Sequence, residues 1–197
     1  LVRLELREPL ADRLAGSEIF LKPETLQPIG SFKIRGAHHA IRQLSADETR
    51  DGVWTVSAGN AAQGVALAAR HAGIRCSVMV MDSAPETKLH AIRRLGATIV
   101  PATYDECWQT VEEHRSARMT GRLVHPFDDD RFIAGNGTLG LEIVEDLPDV
   151  DAVIGSVGGG GLLSGVASAV RVPRPSVRGF AAGPETGAPP GSATRTH

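Results

Sequence analysis

The chain has 197 residues, 42% hydrophobic and 22% charged, enough for one large or two small globular domains. With 21 Lys+Arg against 23 Asp+Glu the net charge is −2, so no basic surface argues for nucleic acid. No apolar run reaches membrane-spanning length, and LVRLELREPL is too charged for a secretory signal core.

The first residue is Leu, which fits a fragment or a trimmed chain. Cys76 and Cys107 sit in separate units without metal-type spacing, so a reduced, cytoplasmic setting is expected. Aromatic residues are only 4% while glycines number 22, which shifts weight from ring packing to turns and close backbone approaches.

In chain order, EIFLK (18–22) reads as a strand. Ser31 is placed to cap a helix from Phe32 to about Leu44, with Ile34, Ala37 and Ile41 on one face. A repeated unit follows. VWTV (53–56) is a strand, and Ala61–Ala72 a helix closed by Gly73. CSVMVM (76–81) is a strand, and Pro85–Leu95 a helix with Gly96 past its end. ATIV (97–100) is a strand, Tyr104–Met119 a helix and RLVH (122–125) a strand. Four strands alternating with three helices predict an α/β fold with an open parallel sheet in three layers. Beyond HPFDDD, the spacing predicts a helix over Phe132–Leu147 interrupted by Gly135, Gly137 and Gly140. A strand at 152–157, a helix over Leu162–Val170 and a strand at 177–182 complete the pattern. The tail GAPPGSATRTH has no apolar period and is expected to be disordered.

Three stretches carry candidate chemistry. Gly158, Gly159, Gly160 and Gly161 lie between an apolar strand and an apolar helix that begins at Leu162. Such a run either leaves several backbone N–H groups bare at a positive helix end, a phosphate cradle, or makes a tight turn. It is neither the dinucleotide fingerprint nor a Walker loop. In SAGNAAQG (57–64), Ser57, Gly59, Asn60 and the N–H groups near Ala61 form either a carboxylate-sized anion site or an ordinary helix cap. Lys33, in GSFKIRGA, stands among Phe32, Ile34 and Ala37. Most helix lysines are solvated, but a desolvated one has a lowered pKa and becomes nucleophilic. In open α/β folds ligands sit outside the carboxyl ends of strands, where Ser57 and Gly158 are predicted to be. A phosphate site, a carboxylate site and an amine together match pyridoxal 5′-phosphate (PLP) holding an amino acid.

The motifs KPETLQPIGSFKIRGA, SAGNAAQG, GNGTLGLEI and SVGGGGLLSG stand in the order found in one family. From Leu4 to Glu185 the chain resembles the serine/threonine dehydratase branch of the fold-type II, tryptophan-synthase-β-like PLP enzymes. The resemblance implies that Lys33 carries PLP as an imine and then acts as general base at the substrate Cα. It implies that the N–H groups of Gly158–Leu162 hold the cofactor phosphate and that Asn60 bonds the ring 3-oxygen. Ser57, Gly59, Asn60 and Ala61 would line the substrate carboxylate site, and Phe32 would pack near the cofactor. A small domain over 47–133 would be inserted in a large one made of 1–46 and 134–183, and a homodimer is expected. The implied reaction is β-elimination from L-threonine or L-serine to a 2-oxo acid and ammonia.

The chain departs from that family in four places. Ala61 replaces a histidine usual in the dehydratases. Ala58 stands where serine racemases carry a second serine, which favours elimination over racemisation. Ile34 replaces the acidic residue that follows the lysine in cysteine synthases and threonine synthases, against both roles. The C-terminal Ser or Thr that bonds the pyridine nitrogen is not present after Phe180. The chain is therefore expected to be truncated, with residues 184–197 a disordered tail and the large domain incomplete. A catalytically incompetent PLP-binding fragment is the third reading beside lyase and racemase. The remaining histidines and the Asp128–Asp130 run show no metal spacing and read as structural or solvated, so no metal is expected.

Overall fold

The computed structural model describes residues 1–4 and 16–183, so the predicted tail lies outside the described residues. Strands β1 (Val2–Leu4) and β2 (Ile19–Leu21) pair antiparallel. A 3-10 turn at Glu24–Leu26 leads to α1 (Lys33–Arg42). Then come α2 (Ala46–Thr49), β3 (Val53–Val56), α3 (Asn60–His71), β4 (Cys76–Met81), α4 (Glu86–Arg94), β5 (Thr98–Ala102), α5 (Tyr104–Glu113) and β6 (Arg122–Leu123). The chain continues through α6 (Asp130–Asp146), β7 (Ala152–Ser156), α7 (Gly161–Arg171) and β8 (Arg178–Ala182).

The central sheet has the order β5-β4-β3-β6, all parallel. All four residues of β3 are buried, as a strand covered on both faces requires. Alternate residues feed two cores. Val53, Val78 and Val80 pack with α1, α3 and Ile92 of α4 on one face. Trp54, Val56 and Met79 pack with Cys107 and Val111 of α5 and with Met119 on the other. The chain is therefore an α/β protein of three layers. The order reverses at β3: β4 and β5 add on one side, and β6 returns to the other. A crevice forms at such a switch point, outside the carboxyl ends of the two strands that flank it. Ser57 follows β3 there, and the segment from His125 follows β6.

β7 and β8 form a separate parallel pair, packed under α6 and α7 around Leu139, Ile143, Val166 and Val170. Helix α6 is continuous, not interrupted as its glycines suggested. Gly135 is where α6 meets α1: an added Cβ would lie 2.5 Å from the Arg35 carbonyl oxygen. At Gly140 a Cβ would lie 2.8 Å from the Val166 carbonyl oxygen of α7. The glycines thus serve helix–helix contact, and neighbouring backbones supply the packing that offsets their poor helix propensity.

Two helix ends also differ from expectation. α1 begins at Lys33, and Ser31 Oγ accepts the Lys33 N–H at 3.3 Å in a turn before it. α5 stops at Glu113 instead of Met119, because His114 takes a left-handed conformation with φ 55°. The following turn brings Met119 back into the lower core.

Candidate active site

Helix α1 opens on a lysine, the charge that a helix N-terminus least favours. Its place is fixed by tertiary contacts. Gly64 of α3 lies against the Lys33 carbonyl, where a Cβ would come within 3.1 Å. Arg35, two residues on, is only 11% exposed and bonds Glu24 and Glu142 with both ends of its guanidinium. This ties the 3-10 turn, α1 and α6 together.

The Lys33 amine turns inward. Nζ lies 5.3 Å from the Phe32 ring centre and 5.4 Å from that of Phe132. It donates to the Pro126 carbonyl at 2.6 Å and forms no ion pair with the described residues. Desolvation without a counter-charge lowers its pKa to about 8. This is the condition for an amine that must be neutral near physiological pH.

A cavity of about 490 Å³ opens at the switch point. Phe32, Lys33, Ser57, Asn60 and Ala61 line it together. Gly59 is the N-cap of α3 and its N–H donates to Ser57 Oγ at 3.0 Å. No side chain caps α3, so its first N–H groups remain for an anion. The glycine loop does not line this cavity but adjoins it through Phe127. Gly159 faces the Phe127 ring, and a Cβ on Gly161 would lie 2.4 Å from the Phe127 carbonyl oxygen. Gly160 caps α7 with φ 85°, again with no side-chain cap, ahead of Leu162 in the first turn. Around Gly158 and Gly160 an added Cβ would meet nothing within 4 Å. An anion can therefore approach that backbone. Asn136, wholly buried, donates from Nδ2 to the Gly161 carbonyl at 3.1 Å, while its Oδ1 has no partner among the described residues.

Sequence reasoning did not find the rest of the lining. Tyr104, Cys107, Trp108 and Val111 of α5 form one wall, and Pro126 and Phe127 another. In the sequence the Asp128–Asp130 run of HPFDDD reads only as structural or solvated. Its place after β6 is the same positional signal that marked Ser57 after β3. The residues fit a phosphate-bearing aldehyde: a desolvated amine and the uncapped N-terminus of α3 share one cavity, and the glycine loop at the uncapped N-terminus of α7 adjoins it through Phe127. Among the described residues no group of His, Cys, Asp and Glu could hold a metal ion, and no helix is long and apolar enough to cross a membrane.

Comparison with known proteins identifies the family. The L-threonine ammonia-lyase of Thermotoga maritima is 48% identical over 168 residues, 84% of this chain and 41% of that protein. The serine racemase of Dictyostelium discoideum is 41% identical over 179 residues, 88% of this chain and 54% of that protein. The structure of maize serine racemase superposes with a TM-score of 0.81 at 36% identity, covering 89% of this chain and 54% of that one. The chain thus spans about half the length of the proteins it matches. The family model described as "Pyridoxal-phosphate dependent enzyme" matches residues 3–197. The fold is that of the fold-type II members, and the chain belongs to the family of pyridoxal-phosphate-dependent enzymes.

Proposed function

We propose that this protein is a PLP-dependent ammonia-lyase that converts L-threonine or L-serine to a 2-oxo acid and ammonia by β-elimination. The observation that supports this most is the Lys33 amine, desolvated and without a counter-charge, in one cavity with the N-terminus of α3.

Bound PLP supplies an electron sink that stabilises negative charge at the substrate Cα. The chain's own residues do the rest. Lys33 would hold the cofactor through its amine and, as the free neutral amine, would take the Cα proton. Backbone N–H groups of Gly158, Gly159, Gly160, Gly161 and Leu162 hold the phosphate. Asn60 would donate to the cofactor's ring oxygen, and Phe32 would pack beside the ring; both line the cavity of Lys33. Ser57, Gly59, Asn60 and Ala61 bind the substrate carboxylate and orient its Cα toward Lys33. Ala58 lines the same cavity and carries no proton-transfer group, which favours elimination over racemisation. In this reading residues 47–133 form a small domain that closes over substrate against a large one of 1–46 and 134–183. The protein works as a homodimer in a reducing, cytoplasmic setting, which suits two buried, unpaired cysteines.

The test is direct. Purified protein supplied with PLP and L-threonine or L-serine is expected to release 2-oxo acid, and Lys33→Ala to release none. Turnover retained in that variant overturns the proposal. Formation of the D-amino acid without 2-oxo acid would establish a racemase instead. Lys33-dependent PLP binding without either product would mark a cofactor-binding fragment.

A further inference from the structure

The turn after β6 has one face in each of two cavities. Pro126 and Phe127 line the cavity of Lys33. His125 and Asp128 line a second one, of about 390 Å³, on the other side. Both the Lys33 amine and the glycine loop touch this turn. The Pro126 carbonyl receives the amine, and the ring and backbone of Phe127 lie under Gly159 and Gly161.

His125 bonds the turn to α5 and to its own backbone. His125 is 2% exposed. Its Nε2 lies 3.1 Å from the Val111 carbonyl oxygen on α5, which can only accept. Its Nδ1 faces the N–H of Asp128 at 2.7 Å and that of Phe127 at 3.4 Å, which can only donate. A single state satisfies all three contacts, the neutral imidazole with its proton on Nε2. The His125 ring also meets the Phe127 ring edge-on at 4.7 Å and stacks on His114 at 4.3 Å.

We infer that His125 is a positioning residue for Lys33 and the glycine loop, acting through the Pro126–Phe127 segment that touches both. The inference rests on the assignment of Lys33 as the reactive amine. Protonating His125 would set an N–H against the N–H groups it now accepts from, and the turn would come loose. The charged and titratable groups around it are His114, Asp128 and Asp129, with Arg122, Asp130 and Arg131 lining the outer cavity. Burial lowers the His125 pKa, and His114 adds to this. Together they outweigh the Val111 bond and the two aspartates. The neutral form is therefore the resident one.

The test compares wild type, His125→Asn and His125→Leu in the full chain. The Asn side-chain oxygen can take the place of Nδ1 as acceptor; Leu cannot. Acetylation by acetic anhydride from pH 6 to 11, read by mass spectrometry at Lys22, Lys33 and Lys88, gives each amine its own titration midpoint. In wild type and His125→Asn the Lys33 midpoint is expected near 8. In His125→Leu it is expected to rise by about one pH unit as water reaches the amine, and the PLP concentration for half-saturation to rise about tenfold.

A folded His125→Leu protein with an unshifted Lys33 midpoint overturns the inference, as does an equal shift in His125→Asn. If His125→Leu does not fold, the ring tautomer of wild type decides by nitrogen-15 NMR: a proton on Nε2 supports the inference and one on Nδ1 overturns it. A wild-type Lys33 that titrates alongside Lys88 is a different result. It would overturn the assignment of the reactive amine, and the tautomer would still decide the role of His125.

Discussion

Lys33 Nζ donates to the Pro126 carbonyl oxygen at 2.6 Å, joining residues 93 positions apart in the chain. The acceptor is neutral. A carboxylate in its place would raise the lysine pKa, whereas burial beside a carbonyl leaves the ammonium poorly compensated and lowers it. One contact therefore fixes the amine in space and keeps it close to its neutral form. It also joins α1 to the turn on which the glycine loop rests.

The pKa of about 8 has a consequence for stability. In the unfolded chain the amine titrates near 10.5, so between these values the unfolded state binds more protons than the folded one. Stability is expected to rise with pH from about 8 to 10.5. Lys33→Met removes the buried charge, so it is expected to gain stability at pH 7 relative to wild type and to lose the rise. Urea unfolding at pH 7, 8.5 and 10 measures both slopes.

The four glycines at the start of α7 are not equivalent. Gly158 faces open space, so Gly158→Ala is expected to change stability by less than about 0.5 kcal/mol. Gly160 has φ 85°, and Gly160→Ala is expected to cost about 1–2 kcal/mol in backbone strain. Gly161 abuts the Phe127 backbone, and Gly161→Ala is expected to cost about 3 kcal/mol and to weaken PLP binding most of the three. Thermal melts with PLP titrations establish the order.

Arg35 is a second point where α1 is fixed. Arg35→Ala is expected to cost about 2–4 kcal/mol, short of a fully buried pair because Glu142 keeps 41% of its side-chain surface exposed. Arg35→Lys is expected to recover little, since one ammonium cannot span Glu24 and Glu142 as the guanidinium does. The Arg35 bond, opposed by some desolvation, holds the Glu142 pKa at about 2. Its stabilisation is present above the ordinary carboxylate value of 4.5 and is lost as pH falls toward 2. Acid unfolding of wild type and Arg35→Ala is expected to converge in that window.

Gly135 tests the close crossing of α1 and α6. Gly135→Ala would gain helix propensity but would drive a methyl group to 2.5 Å from the Arg35 carbonyl oxygen. The clash is with backbone, so relief needs the helices to separate. A net loss of about 3 kcal/mol in chemical denaturation is expected.

The sequence alone determined the alternation of strands and helices over 53–123, because apolar runs, Pro85 and Gly96 are local signals that tertiary packing had no reason to override. It also determined which residues could bind anions, because strand-to-helix corners with exposed amides are legible from a run of glycines. It misread α6 as broken and α5 as six residues longer on the same local grounds: Gly135 and Gly140 are justified only by neighbouring backbones, and His114 turns left-handed without a glycine to announce it. Only the tertiary structure decided that Lys33 is desolvated, because Phe132 and Pro126 lie about a hundred residues away from it. Only the strand order put β6 beside β3, and with it the Pro126–Phe127 segment between the amine and the glycine loop. Hydrogen bonds and desolvation depend on distance in space, and no pattern confined to a few neighbouring residues records that distance.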